Sequence, residues 1–254
     1  MFVSVVICTY NGERFVRKQI ESILHQTVTV DEIIIYDDHS TDKTFSILQE
    51  YQKLYPQLIV IHQQGKNRGA VKNFEQAIQQ CKGDIIFLSD QDDIWYPYKV
   101  QVMLDYFENN GYAALVFTDG DLIDESGNSL KRTLWQAWDF NIQLQQRWMN
   151  NDLAFDDLVR NRNKITGATI AFKATLREHI FPFRPHTLYW HDAWMGMYAA
   201  KQQGLFFIEQ PLIQYRVHAK QLVGIGNGIT YAKHKTSVKS FARKVKQRLQ
   251  KFVK

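Results

Sequence analysis

The chain is 254 residues long, enough for one large α/β domain or two small ones. With 45% hydrophobic and 22% charged residues it has the make-up of a soluble globular protein, and no apolar run of about 18 residues marks a transmembrane helix. The net charge of +5 is uneven: nine Lys or Arg and no acid fall within 231–254, and subtracting them leaves −4 on the rest, which argues against a general nucleic-acid binder.

The first segment, Val3–Cys8, is an apolar, β-branched run suited to a buried parallel strand; with no basic leader or cleavage site, it reads as a strand rather than a signal peptide. The turn Thr9-Tyr10-Asn11-Gly12 follows, and Phe15, Ile20, Ile23 and Leu24 mark a helix to about His25. Glu32–Tyr36 is a second strand, ending in Asp37-Asp38-His39-Ser40-Thr41-Asp42, in which Ser40 or Thr41 is expected to cap the next helix. That helix carries Phe45, Ile47, Leu48 and Tyr51 and stops before Pro56. Leu58–His62 is a third strand, Gln64–Gly69 a loop, Val71–Cys81 a third helix and Asp84–Leu88 a fourth strand. Cys8 and Cys81, each beside a hydrophobic stretch, do not make a disulfide framework, and a cytoplasmic protein with reduced thiols is expected.

This alternation implies a parallel sheet with right-handed crossovers, whose ligands bind beyond the carboxyl ends of the strands. Four consecutive strand ends carry polar residues: Thr9-Tyr10-Asn11, Asp37-Asp38, the Gln64–Gly69 loop and Asp90–Asp93. The fold gathers all four on one edge. The last of them, Asp90-Gln91-Asp92-Asp93, sets three carboxylates within four residues, whose repulsion needs a cation or hydrogen bonds to offset it. Mg²⁺ and Mn²⁺ are commonly shared between such carboxylates and a substrate's phosphates. A solvated acidic turn is the plain alternative. Asp37-Asp38 can accept hydrogen bonds from a base or ribose, or belong to a helix cap.

The second half is less regular. Ala113–Thr118 reads as a strand, Asp124–Asn128 as a hairpin turn, Trp135–Arg162 as partly helical, Thr166–Phe172 as a strand, Trp194–Lys201 as a helix and Leu205–Glu209 as a short strand. Trp135, Trp138 and Trp148 suit the apolar faces of sugars or lipids, or fill a core. Thr166-Gly167-Ala168 can shape an acceptor cleft, because Gly permits close approach. Without an internal repeat or linker, the chain is expected to form one domain over 1–230 with a basic tail over 231–254.

Four motifs in order, Thr9-Tyr10-Asn11-Gly12, Asp37-Asp38-His39-Ser40-Thr41-Asp42, Lys66-Asn67-Arg68-Gly69 and Ser89-Asp90-Gln91-Asp92-Asp93, resemble those of the family 2 inverting glycosyltransferases, most closely over the first hundred residues. The resemblance implies a GT-A, Rossmann-like α/β fold: a mostly parallel central sheet flanked by helices. It implies that Asp38 holds the uracil or thymine end of a nucleotide-sugar donor, that Asp90 contacts the ribose side and that Asp92 coordinates Mn²⁺ or Mg²⁺, with Asp93 behind. Thr9 and Tyr10 would line the nucleoside pocket, with Asn11 also on the donor side and Arg68 near the donor. The family usually has Gly where His39 stands. A general base is implied at His191-Asp192, with Asp192 deprotonating the acceptor hydroxyl and His191 supporting it; a helix cap is the alternative. In Tyr215-Arg216-Val217-His218, Arg216 would contact phosphate and His218 would be a further metal ligand.

The stretch Ser89–Trp95 with His191-Asp192 is similar to bacterial rhamnosyltransferases of surface polysaccharides. That implies dTDP-rhamnose, or otherwise a UDP-sugar, and a lipid-linked or glycan acceptor. Val238, Phe241, Ala242, Val245, Leu249 and Phe252 recur at helical spacing among Lys and Arg, giving a basic amphipathic C-terminal helix expected on the cytoplasmic membrane face. A sugar-1-phosphate nucleotidyltransferase would want a Gly-rich basic loop after the first strand, and an aspartyl phosphatase would want its acidic motif there; neither is present. The non-enzymatic alternative is a membrane-associated, nucleotide-sugar-binding scaffold subunit that has lost catalysis.

Overall fold

A computed structural model describes residues 1–183 and 190–219. Strand β1 (Val3–Thr9) leads to helix α1 (Val16–Leu24), β2 (Glu32–Asp37) to α2 (Thr44–Leu54), and β3 (Ile59–Gln63) to α3 (Ala70–Gln80). Strand β4 (Ile85–Ser89) is followed by a two-residue strand, β5 (Ile94–Trp95), and by α4 (Lys99–Asn109). The second half contains β6 (Leu115–Ile123), β7 (Ser129–Thr133), α5 (Leu134–Ala137), α6 (Ile142–Trp148), α7 (Asn151–Val159), β8 (Ala171–Lys173), α8 (Arg177–Ile180), α9 (His191–Lys201) and β9 (Leu205–Arg216).

The strands form one sheet in the order β3-β2-β1-β4-β8-β6-β9-β5, with β7 joined to β6. Strands β1 to β4 are mutually parallel, β6 and β9 point the same way, and β8, β5 and β7 run against them. The result is the expected mostly parallel α/β sheet. Residues on β1, β2 and β4 are buried except for the half-buried Cys8, as a sheet covered on both faces requires. Alternate side chains serve two cores: Val6, Ile34, Ile86 and Leu88 pack toward Phe74 and Ile78 of α3, and Val5, Ile7, Ile33 and Ile35 toward Ile20 and Leu48 of α1 and α2. Register aligns Thr9 with Asp37, Asp37 with Gln63 and Ile7 with Ser89, so the carboxyl ends of the first four strands share one edge. At the opposite end Ser4 Oγ donates to Glu32 at 2.6 Å and accepts from the Gly83 amide at 2.8 Å, tying β1, β2 and the start of β4 together.

The second half departs from the sequence expectations in specific ways. Thr166–Phe172 is not a continuous strand: the Thr169 amide and hydroxyl both turn back to the Thr166 carbonyl, at 2.9 and 2.7 Å, making a 3-10 turn over Gly167–Thr169 before β8. The strand expected at Leu205–Glu209 continues to Arg216, because β6 and β5 both pair with it and bulges in the β6 register carry it past Pro211. The helix expected from Trp194 begins at His191. Trp135 and Trp148 are core residues, packed with Phe117 and Phe140, and only Trp138 reaches a cavity. The helix expected over 231–254 falls outside the described residues. Among the described residues, no helix is long and apolar enough to cross a membrane.

Trp148, 1% exposed at the centre of this aromatic cluster, carries much of the second-half core. Trp148→Ala is expected to lower unfolding free energy by about 3–5 kcal/mol in urea denaturation; a loss under about 1 kcal/mol would contradict that packing role.

Candidate active site

The polar strand ends meet as anticipated, and they are latched to one another. Asn11, at φ 48°, accepts the Thr41 amide on its side-chain oxygen at 2.8 Å and donates its own amide to Ser40 Oγ at 2.9 Å. Gln91 reaches back to β1: its amide oxygen accepts the Tyr10 N–H at 2.8 Å and its amide nitrogen donates to the Tyr10 carbonyl at 2.9 Å. Gly12 makes room for this clasp, since a Cβ there would collide with Gln91 Oε1. Asp37 and Asp38 divide the work after β2. Asp37, fully buried, accepts from Thr9 Oγ1, the Ser40 amide and Ser40 Oγ. Asp38 accepts the backbone amides of Arg68 and Gly69 at 2.7 and 2.8 Å and so fixes the loop before α3. Neither Ser40 nor Thr41 caps α2; Asp42 accepts the Thr44 amide instead. His39 sits at φ 66°, the left-handed region that favours glycine.

These loops wall a cavity of about 620 Å³. Thr9, Tyr10, Asn11, Asp38, Asp90, Asp92, His191, Asp192 and His218 all line it. Arg68, Asp93 and Arg216 do not. Arg68 contributes its backbone amide to Asp38. Arg216 donates from Nε to the Asp92 carbonyl at 2.8 Å and from its backbone amide to Asp93 Oδ1 at 3.0 Å, with its guanidinium over the Phe15 ring. It therefore buttresses the acidic loop from behind.

Burial, then Asp92 and Asp192, push the Asp90 carboxyl up to about 7, with Lys99 opposing. Burial, then Asp92 and Asp90, raise Asp93 well above the carboxylate range, with the Arg216 amide and Lys99 opposing. Asp92 Oδ2 lies 2.8 Å from His218 Nε2, so the two groups assigned to metal from the sequence are adjacent. Among the described residues no group of three or more His, Cys, Asp or Glu forms a ready cation cage. The sequence reading missed Lys99, which is wholly buried below the acidic loop. Its Nζ donates to the Ala168 carbonyl at 2.8 Å and lies 4.0 Å from the centre of the Trp95 ring. Burial pulls it down to about 7, against the pull of Asp93 and Asp90. The available signal was its place on the buried stripe of α4 with Val100, Met103, Leu104 and Phe107.

Across the cavity, Asp192 is the second residue of α9 and not its cap. Burial pushes its carboxyl up to about 7, although the Ala193 and Gly167 amides and the Asn163 side chain donate to it. His191 stacks on Phe74 at 4.3 Å and abuts Gly167, where a Cβ would lie 2.8 Å from its Nε2. Burial drives its pKa to about 3, keeping it neutral, and neither ring nitrogen has a hydrogen-bond partner among the described residues. His191 thus packs beside Asp192 without bonding to it.

Residues 4–179 match the family described as glycosyl transferase family 2. The chain belongs to this family. Chondroitin synthase of Escherichia coli is 38% identical over 126 residues, covering 50% of this chain and 18% of that protein. The dTDP-rhamnosyl transferase RfbG of Shigella flexneri is 41% identical over 103 residues, covering 39% of this chain and 36% of that protein. The solved structure of S. aureus TarS 1-349 in complex with UDP-GlcNAc superposes with a TM-score of 0.64 at 15% identity, over 98% of this chain and 65% of that one. The mannosyltransferase PcManGT from Pyrobaculum calidifontis, in complex with GDP-Man and Mn2+, gives 0.55 at 19%, over 82% of this chain and 54% of that one. Such likenesses support the GT-A-like fold. The chain spans less than two thirds of the length of each of these proteins. Asp192 and His218 lie beyond the family 2 match, so the structure, through α9 and β9, is what brings them to the acidic loop.

In this family 2 domain the Gln91 clasp holds the first and fourth strand ends together. Gly12→Ala is expected to cost about 1–3 kcal/mol, the loss of the two Tyr10 bonds. Adding Gln91→Ala should then cost little more in a double-mutant cycle by denaturant unfolding, and strictly additive losses would contradict the clasp.

Proposed function

We propose that the chain is an inverting glycosyltransferase that moves a sugar from a nucleotide-sugar donor to an acceptor hydroxyl in surface glycan synthesis, with a divalent cation at Asp92. One observation carries the reading: Asp38, Asp90 and Asp92 on one wall of a single cavity face Asp192 on the other, and Asp192 is poised near neutrality. A general base works best with a pKa near the operating pH. That poise favours an enzyme over an inactive scaffold.

The residues fit a cation shared with substrate. Mg²⁺ and Mn²⁺ commonly use one or two protein oxygens and complete their shell with phosphates and water, and Asp92 with His218 supplies such a partial set. The PcManGT structure, a complex with GDP-Man and Mn2+, supports the same reading. The cation, Mn²⁺ or Mg²⁺, would neutralise charge on the departing nucleoside diphosphate. Thr9, Tyr10 and Asn11 would flank the nucleoside. Asp38, already holding the Arg68–Gly69 backbone, retains lone pairs for a base N–H. Asp90 would meet the ribose side, while Arg68 acts through its backbone and Arg216 through the loop it supports. Asp192 would accept the acceptor hydroxyl's proton as that oxygen attacks the anomeric carbon from the face opposite the leaving group. Attack from that side inverts the configuration.

RfbG supports dTDP-rhamnose as donor, and the TarS complex supports a UDP-sugar. Lipid-linked or polysaccharide acceptors fit either donor. Peripheral attachment to the cytoplasmic membrane face through 231–254 remains part of the proposal; deleting those residues should move the protein from the membrane to the soluble fraction on sedimentation.

The test is the Asp192→Asn variant, assayed with dTDP-rhamnose and a panel of UDP-sugars in Mn²⁺. It should lose about 10²–10⁴-fold in kcat with little change in donor KM. Wild-type kcat should rise with pH until Asp192 is ionised near 7, and lower if a bound cation draws the proton off sooner. Because only the ionised carboxylate can take the proton, the acid limb must disappear in the variant. Wild-type turnover by Asp192→Asn would remove Asp192 as base.

A further inference from the structure

A second cavity of about 430 Å³ opens beside the first. Trp138, Asn163 and Lys164 line both, so the two are adjacent. The segment 162–164 links them chemically as well. Asn163 donates to the Asp192 carboxylate, and its sequence neighbours Arg162 and Lys164 line the second cavity.

The charge of the two spaces is opposite. The first is lined by Glu13, Asp38, Asp42, Asp90, Asp92 and Asp192 against Arg14 and Lys164. The second is lined by Arg147, Arg162 and Lys164 against one acid, Asp157. Asp157 is 2% exposed, and its oxygens are occupied by Arg147 Nε at 2.8 Å, Trp148 Nε1 at 3.2 Å and Arg162 Nη1 at 3.5 Å. Each guanidinium has five N–H groups, so both keep donors beyond those spent on Asp157. Arg162 is 65% exposed. Lys164 bonds to the Trp138 carbonyl and is attracted by Asp139 as well as Asp157. Trp138 is 7% exposed, and its indole N–H has no hydrogen-bond partner among the described residues. An aromatic wall and three basic side chains make a lining suited to a sugar that bears an oxyanion.

We infer that this second cavity is an acceptor subsite for an anionic glycan, in which Arg162, Lys164 and Trp138 hold a phosphate or carboxylate while the neighbouring hydroxyl faces Asp192. The assignment rests on the proposed glycosyl transfer and names its acceptor class. It also accounts for the placement of the cations. An anionic acceptor approaching this mainly acidic cavity would be repelled, and a positive subsite next to the base offsets that repulsion and fixes which hydroxyl presents itself.

The test uses the full chain with UDP and Mn²⁺ at saturation, so that donor-side phosphate contacts are filled. Glucose 1-phosphate, methyl glucuronide and methyl glucoside are compared by isothermal titration. At least one of the two anionic sugars should bind about tenfold or more tightly than methyl glucoside, and that advantage should vanish in Arg162→Gln/Lys164→Gln. Preference for glucose 1-phosphate would identify a phosphoryl-bearing acceptor, and preference for methyl glucuronide a uronate-bearing one; either supports the subsite. The exposed single change Arg162→Gln, which leaves the Lys164–Trp138 contact in place, should lose part of the advantage and guards against a misfolded double variant. Equal binding of anionic and neutral sugars, or an advantage that survives both variants, overturns the inference. Failure of UDP and Mn²⁺ to bind the wild type is a separate result that strikes the proposed transfer itself, and the sugar titrations are then read without nucleotide by the same criteria.

Discussion

Asp90, Asp92 and Asp93 crowd the head of β4, where little water reaches them, and like charges in a poorly solvated place repel strongly. The chain surrounds them with buried basic groups. Lys99 lies beneath and Arg216 behind, and His218 lies beside Asp92. Neither Lys99 nor Arg216 removes the strain entirely, since Asp90 and Asp93 still hold their protons more tightly than ordinary carboxylates. A divalent cation would relieve the remainder, and a nucleoside diphosphate would bring the oxygens to complete its shell. The affinity for donor and the internal electrostatics are in this sense one property.

The same constraint explains how firmly the loops are fixed. Functional residues on strand ends work only if their supports hold them within a fraction of an ångström. Asn11 ties the first strand end to the second, Asp38 ties the second to the loop before α3, and Gln91 ties the fourth back to the first. Lys99 adds a link in the other direction, from under the acidic loop to the Ala168 carbonyl. The adjacent Gly167 amide donates to Asp192. The acidic loop and Asp192 therefore share one frame.

Much of this was legible in the sequence because it lay in local patterns. Val3–Cys8, Glu32–Tyr36 and Asp84–Leu88 are mainly apolar, β-rich runs that read as buried strands, and in an alternating α/β chain the polar residues after them share an edge. What the pattern could not show is how polar groups divide their bonds. Asp37 and Asp38 are adjacent and alike, yet one is spent wholly on the fold and the other lines the cavity. Arg216 reads as a phosphate contact, but its guanidinium reaches the backbone of the loop itself. Lys99 sits on an apolar stripe where a lysine looks like a helix start, and only tertiary packing reveals it as an internal cation. The long strand β9 reads short in the sequence because its exposed middle, Glu209 and Gln210, and Pro211 look like a loop until β6 and β5 pair around them.

In the proposed function, the chemistry of the site turns on the acidic loop's need for a cation. Calorimetric titration of UDP and dTDP into the wild type and Asp92→Asn, with and without Mn²⁺, measures that need. The wild type should bind at least one nucleotide about tenfold or more tightly with Mn²⁺ than without, and Asp92→Asn should lose that gain. Nucleotide binding indifferent to Mn²⁺ in the wild type, or a gain that survives Asp92→Asn, would contradict it.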